Sequence, residues 1–209
     1  MATKTWIATT ASTWATAASW SPPGIPAAGD DVIFNAASAA CTVGANTNAL
    51  LSLTCTGYTN TLTINANLIV AGNVTLSSGM TTTGTGNLDI SANALLTAAG
   101  HTLGVNLRFT TINTTIQIAD TWILSKGLTS QGTPLGSIIM RSSVPGTQRT
   151  FTLLNNGVTT QDIDYLNVTD IDGSAGLTAW TYKGTAPSNS PNWYLMTTQP
   201  PTVSQISFS

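Results

Sequence analysis

The chain has 209 residues, of which only 7% are charged; its formal net charge is −2 and it contains no Glu. Near-neutrality without a basic cluster argues against a nucleic-acid partner, and no apolar run is long enough for a membrane-spanning helix. What remains is rich in Thr, Ala, Ser, Asn and Gly, a composition biased towards strand and away from helix.

Residues 1–29 read as an N-terminal cap. Trp6, Trp14 and Trp20 precede Ser21-Pro-Pro-Gly-Ile-Pro26, a stretch that suits neither helix nor central strand. Stacked strands expose a pairing edge that must be covered, and large aromatic side chains supply buried area for a cover. Stacking of these tryptophans on carbohydrate is the alternative use. Met1-Ala-Thr-Lys-Thr-Trp6 lacks a basic segment followed by an apolar run, so no signal peptide is expected.

Residues 30–172 read as short strands separated by turns, beginning at Gly29-Asp-Asp-Val-Ile-Phe34. The pattern Asn-x-x-apolar recurs in two interleaved series. One holds Asn67, Asn87 and Asn106; the other holds Asn73, Asn93 and Asn113. Each series steps by about twenty residues, the period of stacked solenoid coils. Asn tolerates the left-handed backbone of a sharp corner, which suggests that each Asn turns the chain. Alternation places Val74, Leu76, Leu88, Ile90, Leu96, Leu107 and Phe109 inward, with Thr75, Asp89 and Arg108 outward. Equal steps in both series predict that Leu76 and Leu96 are stack neighbours. About seven coils at 4.8 Å each predict a rod of roughly 35 Å. The predicted fold is all-β: a parallel β-helix, or β-solenoid, with aromatic caps at both ends.

The repeat blurs after Ile118, and Gly132-Thr-Pro-Leu-Gly136 interrupts it. Around Tyr165 the inward parity switches, which predicts a bend or bulge. Residues 173–209 read as a second aromatic cap, with Trp180, Tyr182, Trp193 and Tyr194, followed by an extended tail. Val203, Ile206 and Phe208 alternate in that tail as a strand seeking an edge would.

Little catalytic chemistry is visible. Asp162 with Asp164, and Asp170 with Asp172, share strand faces, and they are the best candidates for a carboxylate pair. The alternative is that they face solvent or bind turn amides. His101 follows Gly100 in a turn and is expected at a surface or turn, with no nucleophile elbow in the chain. Cys41 and Cys55 read as buried thiols, ahead of a disulfide. No catalytic, cofactor or metal residues are assigned.

Two stretches carry a resemblance. One is Trp14-x5-Trp20-Ser21 followed by Pro26-Ala-Ala-Gly-Asp-Asp-Val-Ile-Phe34. The other combines Pro145-Gly-Thr-x-Arg-Thr-Phe-Thr-Leu153, Asp164-Tyr-Leu-Asn-Val-Thr-Asp170, Trp180 and Asn192-Trp193. Together they cover about a third of the chain and resemble the opening and closing modules of bacteriophage and bacterial β-helix surface proteins. The expected absence of a signal peptide favours the phage members. The resemblance implies a non-enzymatic virion structural protein, made in the host cytoplasm and displayed on the particle surface as a capsid decoration, head fibre or tail-fibre component. It implies other virion proteins, or a second copy, as partners, with Trp6, Trp14, Trp20, Val203, Ile206 and Phe208 as candidate docking residues. A glycan- or receptor-binding adhesin, contacting a host surface glycan, is the first alternative. A polysaccharide depolymerase is the second.

Overall fold

The computed structural model describes residues 1–45, 47–156 and 159–196. Among these the only helix is one 3-10 turn at Ala17–Ser19, and no helix is long and apolar enough to cross a membrane. The rest is all-β, built from parallel strands in stacked sheets, an arrangement compatible with a β-solenoid. No sheet closes on itself.

Three stacks of strands run up the molecule. In the first, Thr3–Trp6 is followed by Asp31–Ile33, Ser52–Thr54, Val74–Thr75, Ala94–Thr97, Thr115–Ile118, Ile138–Ser142 and Leu166–Thr169, all parallel. The seven strands from Asp31 onward match the expected coil number. The second stack is split. Ser12–Thr13, Cys41–Val43, Thr61–Ile64 and Thr81–Thr83 form one sheet; Thr102–Leu103, Trp122–Leu124, Arg149–Leu153 and Ile171–Asp172 form the next. The third stack contains Leu68–Val70, Asn87–Ile90, Asn106–Phe109, Gly127–Gln131, Thr160–Asp164, Ala179–Tyr182 and Trp193–Met196.

Inward alternation is observed as read. Val74, Leu76, Leu88, Ile90, Leu96, Leu107 and Phe109 are all buried in one continuous apolar core. Burying each such side chain contributes about 1.5–3 kcal/mol, which offsets the entropy of ordering a chain with few charges to pair. The parity switch at Tyr165 is a corner: φ there is +49°, between Thr160–Asp164 in the third stack and Leu166–Thr169 in the first.

Two expectations about the Asn series are corrected. Of its six members, only Asn113 has a positive φ, +59°, so left-handed corners are not their common role. Nor do both series stack with the same step. In the third stack Leu88 pairs with Leu68 and Leu107 with Leu88, so Asn87 and Asn106 lie opposite one another. In the first stack Leu96 pairs with Val74 and Ile118 with Leu96, a step of twenty-two residues. Leu76 and Leu96 both face the core but are not register partners; Leu76 accompanies the next turn through its N–H bond to Thr97.

The cause is a corner that grows. The register partners Val70, Ile90, Phe109 and Ser130 leave the third stack, and Val74, Leu96, Ile118 and Ser142 mark the corresponding arrival in the first. The chain takes four residues from Val70 to Val74, six from Ile90 to Leu96, nine from Phe109 to Ile118, and twelve from Ser130 to Ser142. The longest corner contains the predicted interruption, a turn closed by Thr133 and Gly136 that leaves Leu135 88% exposed.

The break in the second stack is filled by side chains. Thr82 turns inward, and its hydroxyl accepts the Gly104 N–H at 2.8 Å and lies 2.9 Å from His101 Nε2. Only glycine fits at Gly104, because a Cβ there would lie 1.9 Å from the Thr82 carbonyl oxygen. His101 is therefore in a turn, as expected, yet buried at 4% exposure, because it completes this break.

The N-terminal end is closed. Trp20–Ser21 returns antiparallel onto Thr5 and Trp6, covering the outermost parallel strand of the first stack. Beneath it, Trp20 meets Trp6 and Trp14 edge-on, with centroids 4.9 and 4.8 Å away. Both enclosed indole N–H groups find carbonyls: Trp6 donates to Ala39 and Trp20 to Trp14, each at 2.9 Å. The cap thus adds its own strands to the stacks.

Candidate functional site

The carboxylates mostly hold the backbone together. Asp30 accepts the amides of Ala2 and Ala27, at 2.6 and 3.0 Å, and the Ala27 bond is the main reason its pKa is lowered. Asp120 accepts the amides of Ala98 and Ala99 at 2.8 and 2.7 Å. Asp31 accepts from the Ser52 hydroxyl on the neighbouring strand. Asp89 is clasped by Arg108, whose Nε and Nη2 donate at 2.7 and 2.6 Å; this bidentate bond raises the guanidinium pKa. Asp170, in a left-handed corner at φ +57°, accepts from Asn189 Nδ2 at 2.6 Å and from Gly146 N at 2.8 Å, so its pKa is lowered. Asp172 accepts the Ser174 amide at 2.8 Å, and Ser174 lowers its pKa.

Asp162 and Asp164 differ. They point outward from Thr160–Asp164 on either side of buried Ile163. Burial pushes the Asp164 carboxyl up, the neighbouring Asp162 adds to this, and Lys183 opposes it. The two residues sit two positions apart along one strand of a sheet face, a backbone rise of about 6.6 Å. They do not oppose each other across a cleft, which is what glycosidic acid–base chemistry requires.

Beside them lies an aromatic surface. Asp164 pairs with Tyr182, and Trp180 pairs with Tyr194 on the last described strand. Between Thr160–Asp164 and Ala179–Tyr182 the backbone ladder opens, and Gln161 fills it: its Nε2 donates to Thr178 O at 2.8 Å and its Oε1 accepts Trp180 N–H at 3.1 Å. Trp180 is 46% exposed and Tyr194 50%, with ring centroids 5.2 Å apart and planes 35° apart. Lys183 Nζ lies 4.5 Å from the centre of the Tyr182 ring. The expected second aromatic cap is corrected here: of its four aromatics only Trp193 is buried, packing 6.1 Å from Phe151. Alternation forces adjacent Trp193 and Tyr194 onto opposite faces, so the two cannot both be buried in a cap.

A recess lies on the outer face of the first stack. This open groove of about 530 Å³ is lined by Asn73, Asn93, Ala94, Leu95, Thr115, Gln117 and Arg141. Asn73 Oδ1 accepts the Leu95 amide at 2.9 Å, and Asn93 Oδ1 accepts the Thr115 amide at 2.7 Å. Arg141 is exposed and makes no ion pair among the described residues. The groove lining contains no carboxylate.

Trp6, Trp14 and Trp20 are buried in the N-terminal cap, so their rings are not offered to a partner at the surface. Val203, Ile206 and Phe208 lie outside the described residues. Cys41 and Cys55 are free and buried, as read; burial pushes the Cys55 thiol up to about 12 and the Cys41 thiol further in the same direction. Among the described residues no group of three or more His, Cys or Asp is placed to hold a metal ion. Comparison with protein-family models, with curated proteins and with solved structures finds no match.

Proposed function

We propose that the chain is a single-chain parallel β-helix acting as a non-enzymatic structural protein on the surface of a bacteriophage particle, as a capsid decoration, head fibre or tail-fibre component. The observation that carries the non-enzymatic part is the use of the acids. Six of the eight carboxylates are committed to backbone amides or to a single side-chain partner. A group held this way stabilises a rod and is poorly placed to exchange protons with a substrate. The two remaining acids share one flat face, and the groove on the first stack has no acid at all. A stack of parallel coils with a buried apolar core is stiff, which suits display at a distance from a particle.

The particle assignment rests on the resemblance of the Trp14–Phe34 and Ser142–Trp193 stretches to phage β-helix surface proteins. Docking to other virion proteins falls to the tail through Val203, Ile206 and Phe208, given that the N-terminal tryptophans are enclosed. The test is immunogold labelling of purified particles with an antibody to this chain, paired with reducing-sugar release from host capsule and cell-wall glycans. Labelled particles and inert glycans support the reading. Unlabelled particles overturn the location, and sugar release abolished by Asp164→Asn in a folded protein overturns the non-enzymatic assignment.

A further inference from the structure

We propose that the outer face of the third stack, at Trp180 and Tyr194, is a binding site for neutral glycans. Five of the six tryptophans are buried, and the sixth, Trp180, is held outward on a sheet face where a polar residue would cost nothing. It stands directly opposite Tyr194, which is also half exposed, so the two rings form one tilted aromatic surface two strands wide. Backbone pairing on one side and the Gln161 carboxamide on the other fix this surface, so little ordering remains to be done on binding.

The neighbours decide the ligand class. Asp162 and Asp164 share the outward face of the adjoining strand, and Thr129 and Gln131 pair with them one strand further on. A pyranose has an apolar C–H face that lies on an aromatic ring and hydroxyls that donate to carboxylates, so this surface matches it on both counts. A protein partner would favour an interface core depleted of Asp. Two carboxylates repel sulfated or uronic glycans. The nearby Lys183 lies over the Tyr182 ring and is one cation against two carboxylates, so it does not reverse that preference. The site goes beyond the structural role proposed above and does not depend on it.

Because Trp180 is the exposed indole, its fluorescence is the one open to a collisional quencher. The experiment titrates the whole chain with maltoheptaose, cellohexaose, a mannan oligosaccharide and, for contrast, a heparin oligosaccharide, following protection from acrylamide; a glycan array extends the neutral panel. Saturable protection by a neutral glycan is expected in the parent; for the variants, which lack that indole, isothermal titration calorimetry should show affinity about tenfold or more lower in Trp180→Ala and largely kept in Trp180→Phe. Circular dichroism and melting should be unchanged in both variants, and Tyr194→Ala provides a second reading if either misfolds. The proposal is overturned if no neutral glycan binds, if only anionic glycans bind, or if Trp180→Ala binds as well as the parent. Failure here leaves particle labelling untouched, and absent labelling leaves this site untouched.

Discussion

The first and third stacks carry the same Asn-x-x-apolar signature and use it differently. In the third stack, asparagines lie level with one another, and Asn87 Nδ2 donates to Asn67 Oδ1 at 2.8 Å. In the first, the strands are offset against the Asn step, so the Asn73 and Asn93 side chains reach past their own level to accept a backbone amide of the next strand. One arrangement joins side chain to side chain; the other caps a strand end. A repeat in sequence therefore fixes a spacing but not the partner, because the partner depends on how much chain the corner consumes.

The largest expected effect tests whether the two stacks share one core. Leu96→Asp in the first stack and Leu88→Asp in the third should each prevent folding, since an unpaired buried charge costs several kcal/mol. Circular dichroism of each variant checks this. If one variant keeps native strand signal, the stacks fold independently and the comparison fails.

The next contrast lies on the outer faces. Arg108→Ala leaves Asp89, whose side chain is only 5% exposed, without its partner, and should cost about 3 kcal/mol. Arg141→Ala on the first stack removes an exposed, unpaired cation and should stay within about 0.5 kcal/mol. Urea unfolding of the two variants measures both. Equal losses would mean that Arg141 has a structural partner.

Smaller still is the difference between the asparagines themselves. Asn93→Ala removes the acceptor of a backbone N–H and should destabilise by about 1 kcal/mol, whereas Asn87→Ala loses one side-chain bond in the ladder and should cost about 0.5 kcal/mol. Melting curves that reverse this order would assign the structural weight to the ladder.

The mildest test is pH, and it reports on the break in the second stack. Burial lowers the His101 pKa below 6.5, so its contribution is present above pH 6.5 and lost as pH falls through the lowered value. The melting temperature should decline between pH 7 and 5, and His101→Gln should flatten that decline. Asp30, Asp170 and Asp172, all lowered from 3.8, hold their contributions above that value and lose them as pH falls further. Asp164 runs the other way: its raised pKa means that protonation relieves the fold on acidification.

The sequence by itself determined the strand character, the inward residues and the approximate period. These follow from local chemistry: side chains alternate across a strand, β-branched residues suit it, and a chain with few charges must satisfy its polar backbone by pairing. Tertiary structure alone decided the register of the first stack, where corners lengthen from four residues to twelve and shift each strand against its Asn. It alone drew His101 inward to complete a break in a sheet, and it alone chose Trp193 over Tyr194 for the core. Alternation says that neighbours face opposite ways. Which of them faces in depends on the surroundings of the strand: Phe151, from the second stack, lies within ring contact of Trp193, and the neighbouring strand places Trp180 opposite Tyr194.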